Sequence, residues 1–179
     1  MRLTPDGVSD YSGLAGIYLS LLLKHLLAFG QFDSADRRVL DFGCGTGKLA
    51  KTCKSACVIG FDIIPELTQV EKWQNQDFDT VVCHHVLYAL TPNEILNFCD
   101  ELQEYTNQRE SSILLVTAHS RQSWLNKFGM ALLQRPDAHK KTKVQWEQID
   151  DIVSKQFSKV SSKNFFGLSQ SISYEVRPN

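Results

Sequence analysis

A cluster of glycines in the first half of the chain has the composition of a turn that binds a ligand. Residues 43–47 read Gly-Cys-Gly-Thr-Gly and follow the mostly apolar run 39–42. Three alternating glycines exceed what a simple turn requires, and glycine lets the backbone approach a ligand closely. Downstream, Asp62 ends the apolar run 58–61, where its carboxylate can accept hydrogen bonds from two hydroxyl groups. These residue types indicate a site for a nucleotide or nucleoside.

The spacing of the glycines distinguishes between kinds of nucleotide loop. In a Walker-type loop, Gly-Lys precedes Ser or Thr, but here Leu49 follows Lys48 and Phe42 takes the place of the first glycine. The dinucleotide pattern Gly-x-Gly-x-x-Gly is also missed, because the third glycine comes one residue early. A nicotinamide-dependent oxidoreductase therefore stays as the second interpretation.

Histidines supply the candidates for proton transfer. His84 and His85 follow the apolar run 78–83, and His119 follows the run 112–117. Imidazole titrates near neutral pH and is the commonest general base. Adjacent residues of a strand point to opposite faces, so we expect at most one of His84 and His85 to act. The five cysteines lack metal-ligand spacing, and no metal site is predicted.

Strands alternate with helices along the chain, which predicts a parallel sheet covered by helices on both faces. A turn signal at Gly167 separates two alternating segments at the end of the chain, which predicts an antiparallel pair. The carboxyl ends of parallel strands share one edge, where ligands bind. The predicted strands are 39–42, 58–63, 78–83 and 112–117, and the predicted helices are 11–32, 48–57, 91–107, 122–133 and 144–157.

The glycine segment and its surroundings resemble a known enzyme family. Residues 39–47, Val-Leu-Asp-Phe-Gly-Cys-Gly-Thr-Gly, are similar to motif I of class I S-adenosylmethionine-dependent methyltransferases. Residues 58–62, Val-Ile-Gly-Phe-Asp, resemble that family's second strand and acidic residue, and residues 78–90 resemble its fourth strand and the loop after it. The resemblance implies a Rossmann-like α/β methyltransferase fold, mostly parallel, with an antiparallel last strand.

The resemblance also implies a cofactor, S-adenosylmethionine, and a set of site residues. The expected domain covers residues 1–179, and its leading helical segment, 1–32, lies over the cofactor. A small molecule is the expected methyl acceptor; nucleic acid or protein stays open, although the loop typical of adenine and glutamine N-methylation is absent after residue 83. The implied cofactor-binding residues are Asp41, Gly43, Cys44, Gly45, Asp62, Ile63 and Cys83, and the candidate catalytic residues are His84 and His85.

The chain departs from the family between its second and fourth strands. Only 15 residues separate Asp62 from Phe78, whereas a parallel crossover alone uses a dozen or more. We therefore expect one short strand or one short helix at 66–73, but not both. Asp77 or Trp73 would then stand beside the adenine. The shortening also keeps open a third interpretation, a non-catalytic binding or partner subunit on the same fold.

Length, charge and composition limit the classes of protein to which the chain can belong. A length of 179 residues with 42% apolar residues suits one globular domain. The formal net charge of −1 gives no global field that would attract nucleic acid. Residues 17–29 are apolar but interrupted and too short to span a bilayer. An odd number of cysteines without paired spacing is typical of free thiols, which predicts a cytoplasmic protein.

Overall fold

The computed structural model describes residues 13–121 and 142–179, which form a six-stranded sheet between two layers of helices. The predicted helix at 122–133 lies outside the described residues. The strands are β1 (Arg38–Phe42), β2 (Cys57–Phe61), β3 (Thr80–His84), β4 (Ile113–Ser120), β5 (Ser158–Phe165) and β6 (Ser169–Val176). The described α-helices are α1 (Gly13–Gly30), α2 (Lys48–Thr52), α3 (Pro92–Arg109) and α4 (Trp146–Gln156).

The strand order is β2-β1-β3-β4-β6-β5. The first four of these strands run parallel, and β6 runs antiparallel to both β4 and β5. The predicted mixed sheet, with its reversed last strand turning near Gly167, is confirmed. Because β1 to β4 are parallel, the segments that leave their carboxyl ends lie along one edge, called here the rim.

Two apolar clusters fix the sheet between its helical layers. On one face, Leu23 and Leu26 of α1 pack with Leu49 of α2 against alternate residues of the strands. On the other face, α3 and α4 bury a larger cluster that includes Phe98 and Ile149. α3 begins at a capping box, in which Thr91 accepts from the backbone N–H of Glu94 and Glu94 accepts from that of Thr91.

The predicted helix 48–57 is shorter in the structure: α2 ends at Thr52, because Cys53 has extended backbone, and Cys57 begins β2. The connection between β2 and β3 also differs from the prediction. Residues 66–73 form neither a strand nor an α-helix. The connection contains one 3₁₀ turn, Trp73–Asn75. Gln69 instead covers the outer edge of β2: its N–H donates to the Gly60 carbonyl at 3.0 Å, and its Oε1 accepts from the Gly60 N–H at 2.9 Å. One residue thus satisfies backbone groups that an added strand would otherwise pair.

Candidate active site

Hydrogen bonds join the segments that leave the four parallel strands. The N–H groups of Gly43 and Cys44 donate to the Phe61 carbonyl at 2.8 and 3.0 Å, which ties the glycine loop to the end of β2. At the other side of the rim, the His85 N–H donates to the Ala118 carbonyl at 2.9 Å. The predicted convergence of the four strand ends is confirmed.

The glycine loop needs its glycines for conformation. Gly43, Gly45 and Gly47 all have left-handed backbone, with φ of +76°, +51° and +69°, a region that side chains with a Cβ disfavour. At Gly43 space is also short, because a Cβ there would overlap the side chain of Val86. Val86 lies in the loop after β3, so this contact packs two rim segments together.

The loop's own N–H groups argue against a diphosphate ligand. A diphosphate is held in such loops by backbone donors that point at the ligand. Here Gly43 and Cys44 donate to Phe61, Gly45 donates to Asp62, and Gly47 donates to the Cys44 carbonyl at 2.9 Å. These internal bonds disfavour the nicotinamide dinucleotide interpretation.

Asp62 lies at the end of β2 as predicted and also organises the backbone around it. Its Oδ2 accepts from the Gly45 N–H at 2.9 Å, and its Oδ1 accepts from the Ile64 N–H at 3.0 Å. Each carboxylate oxygen has a second acceptor position, so the group can hold the loop and still receive two ligand hydroxyls. The neighbouring Ile63 side chain is 81% exposed.

Asp41 is the buried charge of the site. Its side chain is almost fully enclosed, and burial, with a further contribution from the Asp62 carboxylate, raises the pKa of Asp41 to about 7. A carboxyl in this setting becomes more acidic when a cation binds beside it. The site is thus suited to a ligand that brings positive charge to the rim.

The two predicted cysteines do not offer their thiols to the rim. Cys44 Sγ packs against Gly60 and donates to the Leu67 carbonyl at 3.5 Å, and burial raises the pKa of its thiol to about 12. Cys83 is fully buried among core residues on the α3 side of the sheet, where burial raises its pKa well above the ordinary value. Only their main chains are placed to contact a ligand.

Three histidines lie near one another at the carboxyl ends of β3 and β4: His84 ends β3, His85 follows it, and His119 is the penultimate residue of β4. The rings of His84 and His85 meet edge to face, with centroids 4.7 Å apart. Burial, followed by the nearby His85, Lys48 and His119, holds the pKa of His84 well below its ordinary value. His119 is fully buried; burial and the neighbouring His85 lower its pKa to about 3. His84 and His119 are therefore neutral, weak bases.

His85 differs from the other two histidines in its backbone and its contact. It has left-handed backbone, φ +57°, although it is not glycine, and such positions often mark functional sites. Its Nδ1 lies 3.2 Å from Ser120 Oγ at the end of β4. The residue is partly buried and its Nε2 is enclosed; its left-handed backbone and its contact with Ser120 are the features that favour His85 over His84 as the proton acceptor.

Both candidates for the adenine side of the site are wrong. Trp73 is buried in the core, with its ring centroid 5.9 Å from that of Phe78 and 6.2 Å from that of Phe98. Asp77 precedes β3 and forms ion pairs with Arg38 and Arg109. Since Arg38 is the first residue of β1, Asp77 lies at the edge opposite the rim.

Three contacts at the rim were not foreseen: Gln69 on Gly60, Val86 on Gly43, and Ser120 on His85. Each joins residues far apart in sequence, and no local pattern signals it. Within residues 13–121 and 142–179, no group of three His, Cys, Asp or Glu side chains could hold a metal ion. In the same residues, no helix has the length and apolar character needed to cross a membrane.

A comparison with protein families identifies the family of the chain. The family model described as "Methyltransferase domain" matches residues 16–165. The chain belongs to this methyltransferase family. The predicted enzyme class, an S-adenosylmethionine-dependent methyltransferase, is therefore confirmed, and S-adenosylmethionine is its cofactor. No curated protein sequence matches the chain.

Solved structures with low sequence identity share the fold. Magnesium protoporphyrin IX methyltransferase of Synechocystis PCC 6803, solved with bound S-adenosylhomocysteine, has a TM-score of 0.61 at 14% identity, covering 96% of this chain and 90% of its own. A methyltransferase of Archaeoglobus fulgidus has a TM-score of 0.61 at 15% identity, covering 87% and 93%. An aminoriboflavin dimethyltransferase of Streptomyces davawensis has a TM-score of 0.62 at 14% identity, covering 92% and 56%.

The described residues fit this cofactor. S-adenosylmethionine combines a ribose diol with a positively charged sulfonium and an ammonium group. Asp62 has acceptor positions for the diol, and the buried Asp41 carboxyl would be stabilised in its charged form by a neighbouring cation. The cofactor contains no diphosphate, which agrees with the internal bonding of the loop N–H groups.

Proposed function

We propose that the protein methylates a small molecule in one domain that spans residues 1–179, whose leading segment, 1–32, covers the cofactor; residues 1–12 of that segment lie outside the described residues. The observation that carries the cofactor site is the presence of two carboxylates near the glycine loop: Asp41 is buried, and Asp62 accepts from the N–H groups of Gly45 and Ile64. The five free cysteines support the proposal of a cytoplasmic location.

The cofactor-binding roles follow from chemistry and position. Asp62 accepts hydrogen bonds from the ribose hydroxyls, while Asp41 balances the positive charge of the methionine part. The backbone of Gly43 to Gly45 approaches the same part of the cofactor. Ile63, with its exposed side chain, packs on the adenine, and Cys83 contributes its main chain.

When bound, the cofactor supplies an electrophilic methyl group on a positively charged sulfur. The acceptor would need a nucleophilic atom to take this methyl group. If the acceptor is a hydroxyl, its proton must leave as the bond forms. His85 takes that proton, because His84 and His119 are held neutral and weakly basic by burial.

A small-molecule acceptor is supported by the named substrates of the structural neighbours. One neighbour is named for magnesium protoporphyrin IX and another for an aminoriboflavin. The formal net charge of −1 adds no field that would concentrate nucleic acid at the rim. The rim therefore serves a compact acceptor that reaches His85 beside the ends of β3 and β4.

The acceptor class is tested by following the methyl group. The protein is incubated with methyl-labelled S-adenosylmethionine and a cell extract, which is then separated into small-molecule, protein and nucleic-acid fractions. We expect label in the small-molecule fraction. Label confined to protein or nucleic acid would contradict the proposal.

Once an acceptor is found, His85→Asn is compared with His84→Asn. Asparagine tolerates left-handed backbone better than alanine, so His85→Asn removes the imidazole with little strain. For a hydroxyl acceptor, we expect a rate loss of about 10² or more in His85→Asn and a few-fold change in His84→Asn. Equal rates in both variants and the wild type would remove His85 from the mechanism.

A further inference from the structure

The end of β4 brings a hydroxyl group to the proposed base. Ser120 Oγ lies 3.2 Å from His85 Nδ1. We propose that Ser120 is a positioning residue: its oxygen accepts from the Nδ1–H of His85, so that Nε2 carries the lone pair that takes the acceptor's proton. This inference rests on the proposed role of His85 as base.

The backbone holds both partners of this contact in place. The His85 N–H donates to the Ala118 carbonyl at 2.9 Å, which extends the pairing of β3 and β4 by one residue. Ser120 pairs with Ser169 at the last position of the β4–β6 ladder, and the N–H of Arg121 donates to the Leu168 carbonyl at 3.0 Å. A hydroxyl anchored on the sheet therefore faces an imidazole anchored on the adjacent strand end.

The contact matters because neutral imidazole has two forms. The proton sits on Nδ1 or on Nε2, and the hydrogen bond at one nitrogen decides which nitrogen keeps its lone pair. A hydroxyl oxygen can accept from Nδ1–H, which leaves Nε2 as the basic atom. Ser120 would then fix the tautomer of His85, as a carboxylate does for other catalytic histidines, without adding a negative charge.

The charged state of the surroundings agrees with this arrangement. The titratable groups around His85 include His84, whose ring centroid is 4.7 Å away, and His119. Burial keeps both imidazoles neutral near pH 7. Lys48 also acts on His84, and Asp150 acts on His119 with the opposite sign. A proton taken by His85 therefore does not face a second imidazolium.

The test reads the tautomer directly and needs no acceptor. Nitrogen NMR of protein labelled with ¹⁵N-histidine distinguishes protonated from unprotonated Nδ1 and Nε2, and His85→Asn identifies the signals of His85 among the five histidines. At pH 8 the wild type should show Nδ1–H. In Ser120→Ala the ratio of Nδ1–H to Nε2–H should fall about three- to tenfold, the effect of losing one hydrogen bond.

Two variants complete the test. Ser120→Thr keeps the hydroxyl and should keep the wild-type ratio. Ser169→Ala removes a buried hydroxyl that donates to the His119 carbonyl at 3.0 Å, and it should leave the ratio unchanged. The same ratio in Ser120→Ala as in the wild type, or an equal change in Ser169→Ala, would overturn the inference. Failure of the base itself would appear separately, as full activity in His85→Asn.

Discussion

Replacing Asp41 by Asn should make the stability of the protein depend less on pH than that of the wild type. The Asp41 carboxyl has an ordinary pKa of 3.8 and a pKa of about 7 in the folded chain, first because it is buried and then because Asp62 is near. The folded state therefore binds a proton more tightly than the unfolded state. The contribution of the Asp41 carboxyl to stability is present at low pH and is lost as the pH rises from 3.8 through about 7.

The magnitude follows from the two pKa values. A difference of this size corresponds to about 4 kcal/mol over the whole range, of which more than half falls between pH 5 and pH 8. Asn has nearly the same shape and does not titrate. The free energy of unfolding of Asp41→Asn, relative to the wild type, should therefore rise by about 2–3 kcal/mol from pH 5 to pH 8.

Urea unfolding at the two pH values measures this difference. Asp151→Asn is the matched control, because it replaces a carboxylate that is mostly exposed on α4 and pairs with Lys155 at i,i+4. A difference for Asp41→Asn that is independent of pH would refute the reasoning. S-adenosylmethionine should stabilise the wild type more than Asp41→Asn at pH 8, because only the wild type offers the negative charge.

Three further predictions, made with four substitutions, test the packing of the fold. Asp33 accepts from the N–H groups of Lys54, Ser55 and Ala56, which lowers its pKa, so Asp33→Asn should lower the Tm by about 2–4 °C at pH 7, and this cost should vanish as the pH falls below 3.8. Gly43→Ala should cost several kcal/mol because of the overlap with Val86, whereas Gly47→Ala should cost about 1–2 kcal/mol for its left-handed backbone alone; equal losses in chemical unfolding would contradict this. Trp73→Ala should lower the free energy of unfolding by about 3–5 kcal/mol in the same assay. A small loss of stability together with a large loss of cofactor affinity would show that Trp73 contacts the adenine.

Local signals were sufficient for the sheet and for the rim. The apolar runs before Gly43, Asp62 and His84 predict buried parallel strands, and parallel strands must bring their carboxyl ends to one edge. The helix predicted at 91–107 corresponds to α3, whose capping box at Thr91 and Glu94 is also local, since its two hydrogen bonds join residues only three apart. These features needed no knowledge of how distant segments pack.

The contacts that the sequence did not reveal depend on which face a side chain takes and on how a short connection closes. Cys83 points to the α3 side because it alternates with Val82, and the sequence does not say which face carries the cofactor. The connection at 62–79 forms neither the short strand nor the short helix expected at 66–73, and Gln69 covers the edge of β2 in a way that no pattern predicts. The contact of Ser120 with His85 depends on the register between β3 and β4.

The central claim is that Asp62 and the glycine loop hold S-adenosylmethionine at the rim, and calorimetric titration of the purified protein tests it most directly. The wild type should bind S-adenosylmethionine and S-adenosylhomocysteine at one site and should not bind NAD. Asp62→Asn loses the charge and one acceptor for the ribose, so its affinity should fall at least about tenfold. Asp33→Asn, which alters a carboxylate that also bonds backbone N–H groups but lies away from the rim, should bind like the wild type. Unchanged affinity in Asp62→Asn, or binding of NAD in place of S-adenosylmethionine, would contradict the account.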